Sequence, residues 1–175
     1  MRFVDLLKSA VLLSAAAATL LAVITVVLAG SRDEEMVALA AGGWWLVALL
    51  IGARIGRRSV VSPAIERALR DARPATSLPE MQPGRILVNR LWPLLLVTVV
   101  AAAAGLAWPQ VAGIAAGFGV MWALSWRRQD AAVTAIEERD GVTFYVTPSS
   151  PLEPIRLVRA PGFRRDLPAP TDAAA

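Results

Sequence analysis

The sequence predicts an all-α membrane protein: four transmembrane helices in two hairpins, followed by a short cytoplasmic tail that forms a small β-ribbon. Three observations carry the prediction. Of 175 residues, 56% are hydrophobic and 18% charged, against about 45–50% and about 25% in a typical soluble domain, and the mean hydropathy is +0.54. Four apolar runs approach the roughly 20 residues that a helix needs to cross the hydrocarbon core. The Arg residues gather at one set of run ends, as basic residues do on the cytoplasmic side of a membrane.

Residues 1–8 read as a cytoplasmic N-terminus, with Arg2 and Lys8 ahead of a charge-free run over 9–30. That run has the basic flank and small-residue end of a signal peptide. It exceeds the 7–15 residues of a signal core and is soon followed by a second run, which favours a retained span. The connecting loop, Ser31-Arg32-Asp33-Glu34-Glu35, is net acidic and reads as external. The second run, 36–53, completes a first hairpin over 9–54. Its Gly42-Gly43 and Trp44-Trp45 lie near mid-span rather than at the headgroup level that Trp prefers. Either one indole packs inside and one faces lipid, or the small and large pairs shape a pocket.

Residues 55–90 form a basic loop, in which Arg54, Arg57, Arg58, Arg67, Arg70, Arg73, Arg85 and Arg90 outnumber Glu66, Asp71 and Glu80. This loop is expected in the cytoplasm. Ser62 as N-cap, Pro63 at the first helical position and Pro74 as a stop predict a short helix over 63–72. Ile65, Ala68, Leu69 and Ala72 share one face and Arg67, Arg70 and Arg73 another. Arg57, Arg58, Arg67, Arg70 and Arg73 are the candidates for contact with anionic lipid headgroups, the alternative being that they only fix topology. From Pro74 the chain reads as a linker.

The third run, 91–108, and the fourth, 110–126, form the second hairpin over 91–126, joined externally through Trp108-Pro109-Gln110. The fourth is marginal in length. Trp92 and Trp126 fall at inner ends and Trp108 at an outer end, as interfacial Trp should. Gly113 and Gly117 make a GxxxG, and Ala38/Gly42 and Ala101/Gly105 repeat the four-residue spacing of small residues. Gly113, Gly117, Gly105 and Gly42 are therefore candidates for close helix packing, within the bundle or against a partner. Arg57-Arg58 with Ala64-Ile65-Glu66, and Arg127-Arg128 with Ala135-Ile136-Glu137, admit two readings: the hairpins are parallel copies of one unit, or the matches arise by chance from the Ala, Leu and basic inner flank common to such hairpins.

The tail, 127–175, continues the fourth helix to Asp140, where Gly141 stops it. Strands are expected at 142–146 and 155–159, resting on the membrane, the central loop or a partner, because two strands alone are marginal in water. Disorder is expected from about 168.

The chain has 0 Cys and 0 His, which removes thiol catalysis, disulfides, Cys/His metal sites and Ser/His triads. The runs contain no ionisable residue, against the pattern of ion-coupled carriers. Their polar residues, Ser9, Ser14, Thr19, Thr25, Thr98 and Ser125, can bond their own helix backbone. The acidic pairs Glu34-Glu35 and Glu137-Glu138 read as solvated charge rather than an acid/base or cation site. No cofactor and no nucleic-acid partner are expected; lipid, a membrane-protein partner or a second copy is. All basic residues but Lys8 are Arg, and this Arg- and Ala-rich composition looks like that of a GC-rich bacterial genome. The expected protein is a non-enzymatic accessory or scaffold of the bacterial plasma membrane, with both termini inside. The alternative is a passive channel or small-solute transporter made by homo-oligomerisation.

Overall fold

In the computed structural model, which describes residues 1–57, 61–74, 83–147 and 155–161, the helices outrun the apolar stretches that predict them. Helix α1 (Phe3–Ser31) has no Pro and one Gly, so nothing interrupts it ahead of the apolar core. Its 29 residues extend about 43 Å, longer than a hydrocarbon core of about 30 Å. Asp33, at φ 57°, turns the chain into α2 (Glu35–Ile55). Helix α4 (Pro83–Ala107) begins eight residues before the predicted span and contains Pro93. Trp108 is extended and Pro109 opens α5 (Pro109–Trp126). Three helices, α1, α2 and α4, are long and apolar enough to cross a membrane; α5, with 18 residues, is not among them.

Between α2 and α4 lies α3 (Pro63–Arg70), two residues shorter than expected, with the Ser62 hydroxyl accepting from the Ile65 N–H. A strand, β1 (Arg73–Pro74), follows α3, and most of the expected linker, 75–82, lies outside the described residues. The tail does not continue α5: the chain turns at Arg127-Arg128, where Arg128 has φ −112° and ψ 0°, before α6 (Gln129–Asp140). Gly141 ends α6 in the left-handed region at φ 63°, where a side chain would strain the backbone. Strands β2 (Val142–Val146) and β3 (Leu157–Pro161) follow.

The predicted two-stranded ribbon is thus a three-stranded sheet of order β1-β3-β2. Strand β3 lies two residues later than expected, antiparallel to β2 with Tyr145 opposite Val158, and parallel to β1 with Arg73 opposite Val158. The central loop supplies the missing neighbour. The N-terminus closes the far edge, where Arg2 bridges Tyr145 and the Val146 N–H donates to the Met1 carbonyl at 3.0 Å. Under the sheet, Phe3 and Leu7 from α1, Ile65 from α3, Ile86 from α4, Val133 from α6 and Val146 from β2 form one buried core. Residues 1–8 are therefore part of a folded cap, not a plain flank.

Within the bundle α5 packs mainly on α1 and α2, and α4 packs on α1 and α5. A two-fold relating the hairpins would turn the α1–α5 contact into an α4–α2 contact of equal extent. Among the described residues α2 and α4 make no contact of comparable extent, so the packing does not follow the proposed duplication.

Candidate functional site

Close approach of α5 to its neighbours sets the shape of the bundle. A Cβ on Gly113 would stand 3.1 Å from Thr25 Cγ2 and 3.2 Å from Ala41 Cβ. One on Gly117 would fall 2.0 Å from Trp44 Nε1, and one on Gly105 2.7 Å from Ala112 Cβ. Gly42 departs from the expectation, because its Cβ would meet nothing within 4 Å. The contact face of α2 is instead Ala41, Ala48, Gly52 and Gly56, all buried. A Cβ on Gly52 would lie 3.0 Å from the Met121 carbonyl oxygen, and one on Gly56 only 2.0 Å from that of Leu124. Gly119, also close-packed, would place a Cβ 2.9 Å from Ala18 Cβ. The four-residue spacing of Gly52 and Gly56 is the signal that identifies the α2 face.

Both indoles of α2 turn to α5. Trp45 Nε1 donates to the Gly113 carbonyl at 2.8 Å and Trp44 Nε1 to that of Ile114 at 3.1 Å. The bare Cα of Gly117 leaves the room that the Trp44 ring occupies, and Phe118 meets that ring edge-on at 5.3 Å between centroids. The hydroxyls of α1 and α4 bond their own helices: Thr25 Oγ1 donates to Leu21 O, Ser14 Oγ to Ala10 O and Thr98 Oγ1 to Leu94 O, and Thr25 Oγ1 also reaches the Pro109 carbonyl of α5 at 3.4 Å. At the end of the bundle away from the cap the Arg32 guanidinium donates to the Leu106 and Ala107 carbonyls, which end α4 without helical partners.

A cleft of about 1800 Å³ is bounded by α1, α4, α5 and the cap. Where α4 and α5 converge, Ala101 is buried and Gly105 presses on Ala112. On α4 the cleft lining stops at Thr98. Toward the cap the helices part, with Leu94 and Val97 on one side and Ile114, Phe118 and Trp122 on the other. Pro93 also lines the cleft, and it has no N–H to return to the carbonyl four residues earlier, which weakens α4 at that turn. Trp122 stacks on Trp126 at 5.5 Å, forming part of the same wall.

The mouth of the cleft beside the cap is cationic. Arg67, Arg73, Arg90 and Arg156 line it, with Asp71 as the acidic residue among the lining. Among the described residues Arg67 and Arg73 form no ion pair; the Arg67 Nε donates to the Pro63 carbonyl at 3.2 Å. Sequence reasoning singled out Arg67 and Arg73 but missed Arg90, 17 positions beyond Arg73, and Arg156 in the tail, which only folding brings to the same mouth. The other candidates lie elsewhere. Arg70 is paired with Glu66 on the exposed face of α3, Arg57 is absent from the lining, and Arg58 lies outside the described residues.

Glu137 departs from the expected solvated charge. Its side chain is 5% exposed, Oε2 accepts from Arg2 Nη2 at 2.9 Å and Oε1 from the Phe144 N–H at 2.8 Å. It thereby ties the N-terminus and β2 to α6, while Glu138 remains exposed. Asp140, also exposed, is held below the usual carboxylate range by its hydrogen bond from Arg139. Among the described residues no three acidic side chains cluster to hold a metal ion. Comparison with known proteins finds no protein family, no curated protein and no solved structure that matches this chain.

Proposed function

We propose that the chain is a four-span integral protein of the bacterial plasma membrane that acts non-enzymatically, as an accessory or assembly partner presenting a folded cytoplasmic cap. The carrying observation is the cap: the start of α1, the central loop and the tail share one core and one sheet. Three segments that share a core lie on one side of a membrane, which supports an arrangement with both termini and the central loop inside. The course of α5 supports a fourth span. Its Gly113 meets Thr25 near the outer end of α1 and its Gly119 meets Ala18 further in, so it runs beside an apolar helix through the hydrocarbon zone. Its contacts with α1 and α2 support its place in that zone. A rigid cap anchored by α1, α4 and α6 is a surface on which another subunit can assemble.

The chain contains 0 Cys, so single-cysteine labelling needs no background removal. An impermeant maleimide applied to intact cells should label Ser31→Cys and Gln110→Cys, and should label Glu138→Cys only after permeabilisation. A Gln110→Cys protected from outside would refute the fourth span. Function is tested by gentle solubilisation and native mass spectrometry. A stoichiometric foreign subunit is the expected result. A pure homo-oligomer that passes solutes in liposomes would replace this reading with a passive pore.

A further inference from the structure

We propose that the cleft between α1, α4 and α5 binds one anionic membrane lipid, with the phosphate at Arg67 and Arg73 and an acyl chain along the α4–α5 wall. The inference rests on the spanning of α1, α4 and α5 proposed above, and goes further by assigning a site and a ligand class.

Two features of opposite chemistry meet in one concavity. On α5, Ile114, Phe118 and Trp122 recur every four residues, so they form one stripe. Although they line the cleft, they are 52%, 56% and 55% exposed, so the wall is apolar and open to the side. Eight residues of helix give it a length of about 12 Å, matching several methylenes of an extended chain. At the end of this wall stand four arginines against one aspartate. A guanidinium offers a planar fork of donors that suits phosphate oxygens. A free anion would use the mouth and leave the wall uncovered, and an apolar partner helix would leave Arg67 and Arg73, which form no ion pair among the described residues, without a counter-charge. A lipid with an anionic headgroup satisfies both ends, and the mouth sits where headgroups lie, at the inner end of α4 beside Arg90.

The test uses the full chain, stripped of lipid in a non-ionic detergent and titrated with phosphatidylglycerol or phosphatidylcholine of identical acyl chains, read by native mass spectrometry. One phosphatidylglycerol adduct should bind at least about tenfold more tightly than phosphatidylcholine, the discrimination expected when several headgroup-level cations favour the anion. The double variant Arg67→Gln/Arg73→Gln should weaken it by about thirtyfold. Arg54→Gln/Arg57→Gln removes the same charge outside the cleft, and should change it by less than about threefold. Val97→Trp, which fills the wall, should abolish the tight adduct with helical content unchanged. Equal retention of the two lipids, equal effects of the two arginine pairs, or displacement by inorganic phosphate alone would each overturn the proposal. If Arg67→Gln/Arg73→Gln yields no folded protein, the lipid preference of the unmodified chain and the Val97→Trp result decide it. A failed topology is recognised separately, by the cysteine labelling pattern.

Discussion

Replacing Gly56 by alanine adds one methyl group at a point where two helices touch backbone to backbone. The residue caps α2 at φ −73° and ψ 0°, a conformation open to any amino acid, so the substitution carries no dihedral penalty. Its Cβ would stand 2.0 Å from the Leu124 carbonyl oxygen and 3.1 Å from that of Gly52. Neither oxygen can rotate away as a side-chain tip does, so the ends of α2 and α5 must separate. Overpacking typically costs 1–3 kcal/mol, and a main-chain partner places this case near the top, at about 3 kcal/mol. Gly42→Ala on the same helix is the control. Its Cβ meets nothing within 4 Å, so the better helix propensity of Ala should stabilise α2 by up to about 1 kcal/mol. The two variants, identical in chemistry, should differ by about 4 kcal/mol with opposite signs. Equilibrium unfolding in mixed micelles, followed by tryptophan emission, measures both. Wild-type stability in Gly56→Ala, or a larger loss in Gly42→Ala, would refute the reasoning.

Other expectations follow from the same contacts. Trp45→Phe removes the indole bond to Gly113 and should cost about 1 kcal/mol in the same unfolding assay. Gly117→Ala should displace the Trp44 ring; in a double-mutant cycle its cost should shrink when Trp44→Ala is already present, and strict additivity would deny the contact. Glu137→Ala leaves the Phe144 N–H unpaired in the cap and should cost about 1–3 kcal/mol, with faster amide exchange in β2 than in α5. Exchange spread evenly over the chain would argue that Glu137 does not act locally.

How much of this was readable beforehand depends on whether the signal is local. The length of a charge-free run is local, and it marked the apolar helices; their true starts were not, because Phe3 and Pro83 begin helices that extend to dock on the cap. Gly141 as a stop and Ser62 as a cap were readable, since each acts on its own turn. Gly42 was misplaced because small-residue spacing recurs on several faces of so Ala-rich a helix, and only the partner selects between Gly42 and the Gly52–Gly56 edge. Glu137 carried no pattern at all: its burial depends on Arg2, which lies 135 residues away. Half of the cationic mouth was visible as the spacing of Arg67 and Arg73; Arg90 and Arg156 joined it only through folding.

The sequence by itself determined the solvent and the punctuation of this protein. Hydrophobicity, helix breakers and charge distribution act over one or two turns and need no knowledge of neighbours. The tertiary structure decided what joins what. A two-residue strand pairing with the tail, an N-terminus completing a sheet edge, indoles bonded to a neighbouring backbone, and an apolar cleft ending in four arginines each require residues far apart in the chain to meet. Such meetings are fixed by the complementary shapes and buried polar partners of whole elements, which no short window of sequence contains.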